Sequence, residues 1–469
     1  MLPLRLAPKV GLVTLGCDKN TVDSERYLAR LAGYGAELTH NLEEAELILV
    51  NTCGFIDAAK KESIDAIVEA GNMKREGSCQ AVVALGCMVE RHKSELEAAL
   101  PEVDLFLGAS EGDRLVPELE ARGLLGAEDL AHHPGVRVYA GDLRHVRYLK
   151  ISEGCDHGCA FCAIPLMRGR HRSFALDEVI REAQLLELDG AKELNLVAQD
   201  LAHYGRDIRN GFGLPELLET LVAETGIPWI RMLYLYSAGI TPKLIEVVAR
   251  EPRILRYLDM PMQHASDAVL QRMRRPERKK SIRDRVSSLR AAVPDLAIRT
   301  TCIVGFPGET EDDFQQLIDF LEEIRFDRVG AFTYSSQEGT RAAQLADDVP
   351  DALKRERLER LTEIQRAITA DRYEQRIGTR TTAIVDRVNE EGSQARLPWQ
   401  ADDIDGTTQL SEKLEPGTFA DVTVTAVVED YDFTASVLAA RPGHTLKGVE
   451  RRARSRSLPM VGSMGSYGR

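Results

Sequence analysis

Three cysteines stand close enough together in the sequence to bind one metal centre. Cys155, Cys159 and Cys162 lie within EGCDHGCAFCAIP, and the chain has only 8 cysteines in 469 residues. Neighbouring thiolates of this kind can wrap one cubic iron–sulfur cluster or form part of a zinc site. A structural zinc needs a fourth ligand, for which His157 and His171 are nearby, whereas three thiolates on a four-iron cluster leave one iron open to a substrate.

A second set of cysteines is dispersed in sequence but recurs at equivalent places in a predicted sheet. Cys17, Cys53 and Cys87 end the apolar runs VGLVTLGC, AELILVNTC and AVVALGC. The carboxyl ends of parallel strands meet at one edge of a sheet, where such sheets bind ligands, and a glycine beside each cysteine permits close backbone approach. The alternative is that small apolar cysteines fill strand ends, a structural role that we infer for Cys79 and Cys302.

Alternating apolar and amphipathic segments predict an α/β framework that positions both sets. Residues 1–143 follow the pattern βαβαβαβ, which indicates a parallel α/β domain. Residues 144–375 hold about six further βα units and a charged connecting helix, which predict a partial (β/α)6 barrel with its functional loops after the strands. Residues 376–440 are β-prone and predict a small β-barrel. The basic tail 441–469 is predicted to be disordered.

Charge is distributed unevenly among these modules. The chain has a formal net charge of −14, and residues 376–440 hold five basic against twelve acidic side chains, a net charge of −7. Such a module would repel a phosphate backbone and suit a basic protein partner, although an acidic face that only aids solubility is the alternative. No apolar stretch reaches the roughly 20 residues of a membrane span and no signal peptide is evident, so we expect a cytoplasmic protein with reduced thiols.

The two cysteine sets and the β-barrel together resemble the methylthiotransferases of the radical S-adenosylmethionine superfamily. Phe161 fills the aromatic position that these enzymes have before the last cysteine of CxxxCxxC. The segments LGCDKNTVDSE, YLKISEGCDHGCAFCAIPLMRG, AQDLAHYGRD and YLDMPMQHAS are similar to the branch that modifies a ribosomal protein. The transfer-RNA branch has GCQMN at the first site and a PVQSGS-like run in place of PMQHAS. Ser237 and Ala238 depart from the branch pattern, which has a proline after LYLY.

The resemblance implies two 4Fe–4S clusters with different tasks. One, on Cys155, Cys159 and Cys162, would bind S-adenosylmethionine and generate a radical that attacks the β-carbon of an aspartate in protein twelve of the small ribosomal subunit. The other, on Cys17, Cys53 and Cys87, would supply the sulfur, which a second S-adenosylmethionine methylates. No catalytic residue is expected beyond these ligands, because the cofactor supplies the reactivity.

Further residues at predicted strand ends are candidates for positioning the cofactor. They are Phe161, Gln199, Asp200, His264, Gly305 and Glu309. An ordinary hydrogen-bond network at the strand ends, or a plain βα turn at 305–309, is the alternative. Arg168, Arg170 and Arg172 follow the cysteine loop and either bind carboxylates of cofactor or substrate, or form a solvated basic loop.

The expected partners are a small-subunit ribosomal protein, free or within the ribosome, and a reducing electron donor such as a flavodoxin. We expect no membrane contact, and no nucleic acid as the direct substrate. Two other functions stay open at this point. One is methylthiolation of isopentenyl-adenosine in transfer RNA, and the other is a non-catalytic iron–sulfur or zinc scaffold that presents its β-barrel to the ribosome.

Overall fold

The N-terminal part of the chain is a five-stranded parallel sheet between two layers of helices. The computed structural model describes residues 7–126, 137–139, 141–209 and 211–441, so the predicted disorder from residue 442 onward lies outside the described residues. The elements in chain order are β1 (Lys9–Thr14), α1 (Asp18–Gly33), β2 (Glu37–Leu38), β3 (Leu47–Thr52), α2 (Asp57–Glu76), β4 (Ala81–Gly86), α3 (Cys87–Ala99), β5 (Leu105–Gly108) and α4 (Leu115–Ala121). The strand order is β2-β1-β3-β4-β5.

The central strands of this sheet are apolar on both faces, as a helix-covered parallel sheet requires. Every residue of β3 and β4 is buried. Along β3, Leu47 and Leu49 pack into the core on one face, while Ile48 and Val50 pack into the core on the other. The predicted alternation of strands and helices is therefore confirmed, and only the short β2 and α4 lie outside it.

The central part is an open barrel of six parallel strands. Its elements are β6 (Val146–Lys150), β7 (Ser152–Glu153), α5 (Ile164–Arg168), β8 (Arg172–Ser173), α6 (Leu176–Leu188), β9 (Glu193–Val197), α7 (Leu214–Glu224), β10 (Trp229–Met232), α8 (Pro242–Arg250), β11 (Ile254–Asp259), α9 (Asp267–Arg272), α10 (Lys279–Ala292), β12 (Ala297–Val304), α11 (Glu311–Ile324) and β13 (Arg328–Thr333). The sheet runs β6-β9-β10-β11-β12-β13, in chain order. The partial barrel is thus confirmed, while α9 and α10 were not anticipated.

A long helix leads from the open barrel to a closed five-stranded β-barrel. The elements are α12 (Asp351–Glu374), β14 (Arg380–Asn389), β15 (Gly392–Arg396), β16 (Thr408–Leu410), β17 (Phe419–Val428) and β18 (Asp432–Arg441). The order around the barrel is β14-β15-β16-β18-β17. This confirms the predicted small β-barrel.

The closed barrel packs against the residues that begin the strands of the open barrel. Trp229, which starts β10, meets Phe419 edge to face with ring centroids 5.4 Å apart. Glu193, which starts β9, pairs with Arg231 at 2.7 Å and with Arg396 of the closed barrel at 2.7 Å. The closed barrel therefore lies at the opposite end from the carboxyl ends of the strands, where such barrels carry their functional residues. No helix in the described ranges is long and apolar enough to cross a membrane.

Candidate functional site

The structure brings Cys17, Cys53 and Cys87 together at the carboxyl edge of the N-terminal sheet. Cys53 directly follows β3, Cys87 directly follows β4, and Cys17 is the residue before α1. Gly16 has φ +91°, and a Cβ there would lie 2.8 Å from Cys53 Cβ and 2.9 Å from its Sγ. Only glycine fits this approach without strain, so the sequence Gly16-Cys17 is what lets the first cysteine loop meet the second.

Asn20 braces the same edge from one turn into α1. Its side-chain amide donates to the carbonyl oxygen of Leu15 at 2.7 Å and to that of Thr52 at 3.1 Å. Leu15 precedes Cys17 and Thr52 precedes Cys53, so one buried side chain ties two of the three cysteine loops together. Sequence reasoning missed Asn20, although its place one helical turn after Cys17 is a signal that could have found it.

Two thiols of this set, those of Cys53 and Cys87, have raised pKa values. Burial and, to a smaller extent, the neighbouring Cys17 raise the pKa of Cys53 to about 11. Burial raises the pKa of Cys87 to about 12 against the opposing effect of Arg168, with Cys17 and Cys53 adding to the rise. Without a metal these two groups are thiols at neutral pH, so binding a metal cluster must release their protons.

Cys155, Cys159 and Cys162 lie in a loop after β6 that is fixed at several points. Gly154 has φ +79°, and a Cβ there would overlap the carbonyl oxygen of Arg170. The backbone N–H of Cys155 donates to the Gly169 carbonyl at 3.1 Å, and the N–H of Ala160 donates to the Met273 carbonyl at 2.9 Å. Backbone hydrogen bonds therefore fix the loop both at its start and in its middle.

A column of side chains supports the middle of this loop. The ring of His157 stacks on Tyr236 at 3.9 Å with an interplanar angle of 10°. Arg275 lies over the Tyr236 ring, 4.0 Å from its centroid, and its buried guanidinium is a cation close to Cys159. Burial raises the pKa of Cys155 to about 11 and that of Cys162 to about 12, and the neighbouring Cys159 contributes to both rises. Arg275 is far away in sequence, and no sequence signal marked it.

Asp200, one of the predicted cofactor residues, clamps the cysteine loop. Its Oδ2 accepts from His157 Nε2 at 2.7 Å, while Oδ1 accepts from the backbone N–H groups of Ala202 at 2.9 Å and Tyr236 at 3.0 Å. His203 Nδ1 lies 3.9 Å from the same carboxylate, and the three side chains have donor atoms within 4.8 Å of one another. Because both carboxylate oxygens of Asp200 already accept hydrogen bonds, we interpret Asp200 as a clamp, a residue that holds the cysteine loop in place.

Gln199 and Phe161 have different environments, and a cofactor contact by either residue stays a prediction. The Gln199 side-chain amide donates to Glu153 Oε1 at 2.7 Å, while its Oε1 is buried and has no hydrogen-bond partner among the described residues. A buried acceptor without a donor is costly unless a ligand supplies one. Phe161 is partly buried in an apolar cluster with Ala160 and Phe306, so the packing of its ring helps to fix the cysteine loop.

The predicted turn at 305–309 is built around Glu309. Its Oε2 accepts from the N–H groups of Gly305 at 2.9 Å and Phe306 at 3.3 Å, and its Oε1 accepts from Arg357 at 2.8 Å. His264 Nδ1 accepts from the Ser266 N–H at 2.9 Å, and its Nε2 lies 3.4 Å from Glu309 Oε2. Glu309 therefore holds the turn, and a direct cofactor contact by Gly305, His264 or Glu309 stays a prediction.

The three arginines after the cysteine loop have different environments. The Arg168 side chain is 5% exposed, and its Nε donates to Cys87 Sγ at 3.1 Å. Its Nη1 donates to Asp23 at 2.6 Å and to Glu153 at 3.1 Å, so it binds carboxylates of the chain itself. The side chain of Arg170 is 92% exposed, and Arg172 is exposed as well. Arg168 alone of the three joins the two cysteine sets.

The residues around Cys155, Cys159 and Cys162 fit an iron–sulfur cluster better than a zinc ion. Each set offers three sulfurs, while the remaining Cys79 and Cys302 are buried in the cores of the N-terminal sheet and the open barrel. His157 Nε2 is hydrogen-bonded to Asp200, and His171 Nε2 lies 3.1 Å from Ser173 Oγ. Both nearby histidines thus have other partners, which disfavours the four-ligand zinc site.

Three family descriptions match successive parts of the chain. Residues 9–108 match "Uncharacterized protein family UPF0004", residues 149–321 match "Radical SAM superfamily", and residues 377–438 match "TRAM domain". These matches fall in turn on the N-terminal sheet, on the open barrel from β6 into α11, and on the closed barrel.

Relatives extend over nearly the whole chain. The ribosomal protein uS12 methylthiotransferase RimO of Anaeromyxobacter sp. (strain K) is 43% identical over 458 residues, covering 96% of this chain and 97% of its own length. The protein of the same name from Aquifex aeolicus is 43% identical over 429 residues, covering 90% and 96%. Among solved structures, the radical S-adenosylmethionine methyltransferase TsrM from Kitasatospora setae shares the fold, with a TM-score of 0.52 at 13% identity over 70% of this chain and 75% of that one.

Proposed function

Because the chain belongs to the family of ribosomal protein uS12 methylthiotransferases, we propose that it replaces a C–H bond at the β-carbon of an aspartate of ribosomal protein uS12 with C–SCH3. Its radical S-adenosylmethionine domain implies one 4Fe–4S cluster and S-adenosylmethionine as cofactors. The observation that carries the proposal is the meeting of two cysteine triads across a single buried side chain, Arg168, which touches Cys87 from the helix that follows Cys162.

The residues of the open barrel would hold and orient the first cofactor pair. Cys155, Cys159 and Cys162 would ligate one cluster, whose chemistry with S-adenosylmethionine is to supply a 5′-deoxyadenosyl radical. Asp200 keeps the loop in place through His157. The unpaired Gln199 Oε1 is an acceptor for the cofactor's ammonium group.

The N-terminal triad would hold a second cluster, which carries the sulfur that is transferred. Cys87 is buried and Cys53 half-buried, whereas Cys17 is exposed. A cluster on these thiolates would therefore have one open flank, as delivery of sulfur to a protein substrate requires. Cys17 precedes the first turn of α1 and Cys87 begins α3, so both cysteines lie at the N-terminal ends of helices.

The acidity of the C-terminal module supports a basic protein substrate, but less strongly than its composition implies. Asp386 and Asp405 are buried, Asp386 pairs with Arg396 at 2.6 Å, and Asp421 pairs with Arg441. Of its twelve acidic residues, six are exposed, against three exposed basic residues. The exposed surface is still acidic, which disfavours a phosphate backbone, and uS12 is the substrate in the names of the relatives.

We assign the sulfur-carrying task to residues 1–143, the radical chemistry to 144–375 and substrate docking to 376–440. A reducing electron donor such as a flavodoxin would deliver electrons to the radical cluster. The cysteine usage favours the cytoplasm, where thiols stay reduced for metal binding.

The test is an anaerobic assay of the reconstituted full chain with reductant and S-adenosylmethionine. Ribosomal protein uS12, intact small subunits and transfer RNA are offered separately, and products are measured by mass spectrometry. We expect 5′-deoxyadenosine and a methylthio mass gain on the aspartate of uS12.

The controls separate the two other functions. A methylthio gain on transfer RNA alone would show that the chain modifies RNA. A protein that binds iron but forms no 5′-deoxyadenosine with any substrate would be a scaffold. A triple variant with Cys155, Cys159 and Cys162 changed to Ala sets the background.

A further inference from the structure

Arg168 lies at the junction of the two cysteine triads. It ends α5, a five-residue helix that begins two residues after Cys162. Its Nε donates to the Sγ of Cys87, the first residue of α3, at 3.1 Å. Around this contact, Ala163 and Met167 pack with Cys87 in one apolar cluster. The segment that follows the loop carrying Cys155, Cys159 and Cys162, here called the radical-cluster loop, therefore contacts Cys87 of the other triad.

The rest of the guanidinium is fixed by groups from both modules. Nη1 donates to Asp23 Oδ2 at 2.6 Å and to Glu153 Oε2 at 3.1 Å, and Nη2 donates to Asn20 Oδ1. Asp23 and Asn20 belong to α1, whereas Glu153 belongs to β7. These contacts use the planar fork of arginine, which the point charge of a lysine cannot reproduce.

Lys150 balances the charges around Arg168. Its ammonium bonds Asp23 and also Glu153, the latter at 2.7 Å. The two carboxylates thus face two cations in a buried network. If Cys87 becomes a thiolate on binding metal, Arg168 is the cation that already touches it, through an N–H that points at the sulfur.

We propose that Arg168 is a positioning residue that holds Cys87, and the cluster bound to it, at a fixed place beside the radical-cluster loop, and that it raises the reduction potential of that cluster. The proposal rests on the function proposed above, which gives the N-terminal triad a cluster. N–H···S hydrogen bonds and nearby positive charge favour the reduced, more negative cluster, and residues that orient ligands commonly affect metal affinity as well.

The test compares reconstituted wild type with Arg168→Gln, Arg168→Lys and the control Arg170→Gln, whose side chain is exposed. Anaerobic redox titration followed by electron paramagnetic resonance gives the midpoint potential of each cluster, and Cys17→Ala identifies the signal of the N-terminal one. We expect Arg168→Gln to lower that potential, Arg168→Lys to lower it less because charge is kept, and Arg170→Gln to leave it unchanged. In Arg168→Gln, methylthio product per 5′-deoxyadenosine should fall several-fold.

The outcomes separate this inference from the proposed function. Selective loss of the N-terminal cluster in Arg168→Gln, with the radical cluster retained, would also support it. An unmoved potential in a protein with two clusters would overturn the inference alone, as would loss of both clusters and of thermal stability in both Arg168 variants. A wild-type protein that binds only one cluster would overturn the assigned function of the N-terminal triad and this inference with it.

Discussion

At the scale of single residues, thiol positions follow from topology while their partners do not. Cys53 and Cys87 lie at the edge where parallel strands end, so counting strands in the sequence was enough to bring them together. Arg168 was expected either to bind carboxylates of cofactor or substrate or to lie in a solvated loop. Its contact with Cys87 depends on how α5 packs against α3, which no local pattern encodes. The buried Arg275 beside Cys159 was missed for the same reason.

Removal of one N-terminal thiol should separate the two clusters. We expect Cys17→Ala to lower the iron content by about half, since the N-terminal cluster loses a ligand, while reductive cleavage of S-adenosylmethionine continues on the other triad. Iron analysis and 5′-deoxyadenosine formation measure the two effects. Cys79→Ala is the matched control, because Cys79 is buried near β4 away from the triad and should leave both readings unchanged. Loss of cleavage in a folded Cys17→Ala protein would contradict the division of tasks.

Loss of the Asp200 clamp should weaken the radical cluster's chemistry without removing a ligand. Asp200→Asn keeps the size of the side chain but weakens the bond to His157, because the carboxylate charge is lost. We expect 5′-deoxyadenosine formation to fall by about 10- to 100-fold, as is usual for residues that orient metal ligands. The half-exposed Asp189, changed to Asn, is the control. An unchanged cleavage rate would mean that the loop is fixed without the clamp.

At the scale of elements, periodic segments were predictable and weakly apolar ones were not. The strands β3 and β4 are apolar runs, buried at every position, that a reading by period finds. α10 escapes notice because only Ile282, Val286 and Leu289 are buried in an otherwise polar stretch. β15 has the sequence GSQAR, with no β-branched or aromatic residue, and it is a strand because the closed barrel needs it between β14 and β16.

The loop that carries the radical-cluster cysteines should depend on one glycine more than on another. Gly154 and Gly158 both have positive φ, +79° and +65°, which costs an alanine about 1–2 kcal/mol. A Cβ at Gly154 would also overlap backbone at Arg170, whereas at Gly158 it would enter open space. We therefore expect Gly154→Ala to lose the radical cluster and Gly158→Ala to keep it, as measured by iron content and visible absorbance. Equal loss in both variants would show that backbone conformation alone decides.

At the scale of the whole molecule, total charge was a weaker guide than its placement. The acidic residues of the C-terminal module were counted correctly, but several of them lie inside the contact with the open barrel. Arg396 is 1% exposed and bridges Glu193 at 2.7 Å and Asp386 at 2.6 Å. Such pairs cannot be read from composition, because they depend on which faces of two separate modules meet.

Breaking this buried network should separate the two barrels. In Glu193→Gln, Arg231 and Arg396 lose their shared carboxylate, and uncompensated buried charges typically cost about 3–5 kcal/mol. We expect a lower thermal midpoint and faster proteolysis between the modules. The exposed pair of Arg250 and Glu219 offers a control in Glu219→Gln, where the change should be small. Similar losses in both variants would contradict a junction held by buried charge.

Asp402 should make the same junction sensitive to pH. Its Oδ2 lies 3.4 Å from the hydroxyl of Tyr148 in the open barrel, and burial raises its pKa to about 7 against the opposing effect of Arg396. The pKa of an aspartate in an unfolded chain is about 3.9. Because the pKa in the folded protein is higher, folding favours the protonated form of Asp402. The resulting stability is fully present below about pH 4 and is lost as the pH rises toward 7, at about 1.4 kcal/mol for each pH unit.

Asp402→Asn keeps the neutral form of this side chain at every pH. The thermal midpoint of wild type should therefore fall relative to Asp402→Asn between pH 4 and 7 and run parallel above, whereas the exposed Glu415→Gln should show no such trend. If the difference in thermal midpoint between wild type and Asp402→Asn were the same at pH 5 and pH 8, the prediction would be wrong. The folded junction would then hold the ionised carboxylate of Asp402 without loss of stability.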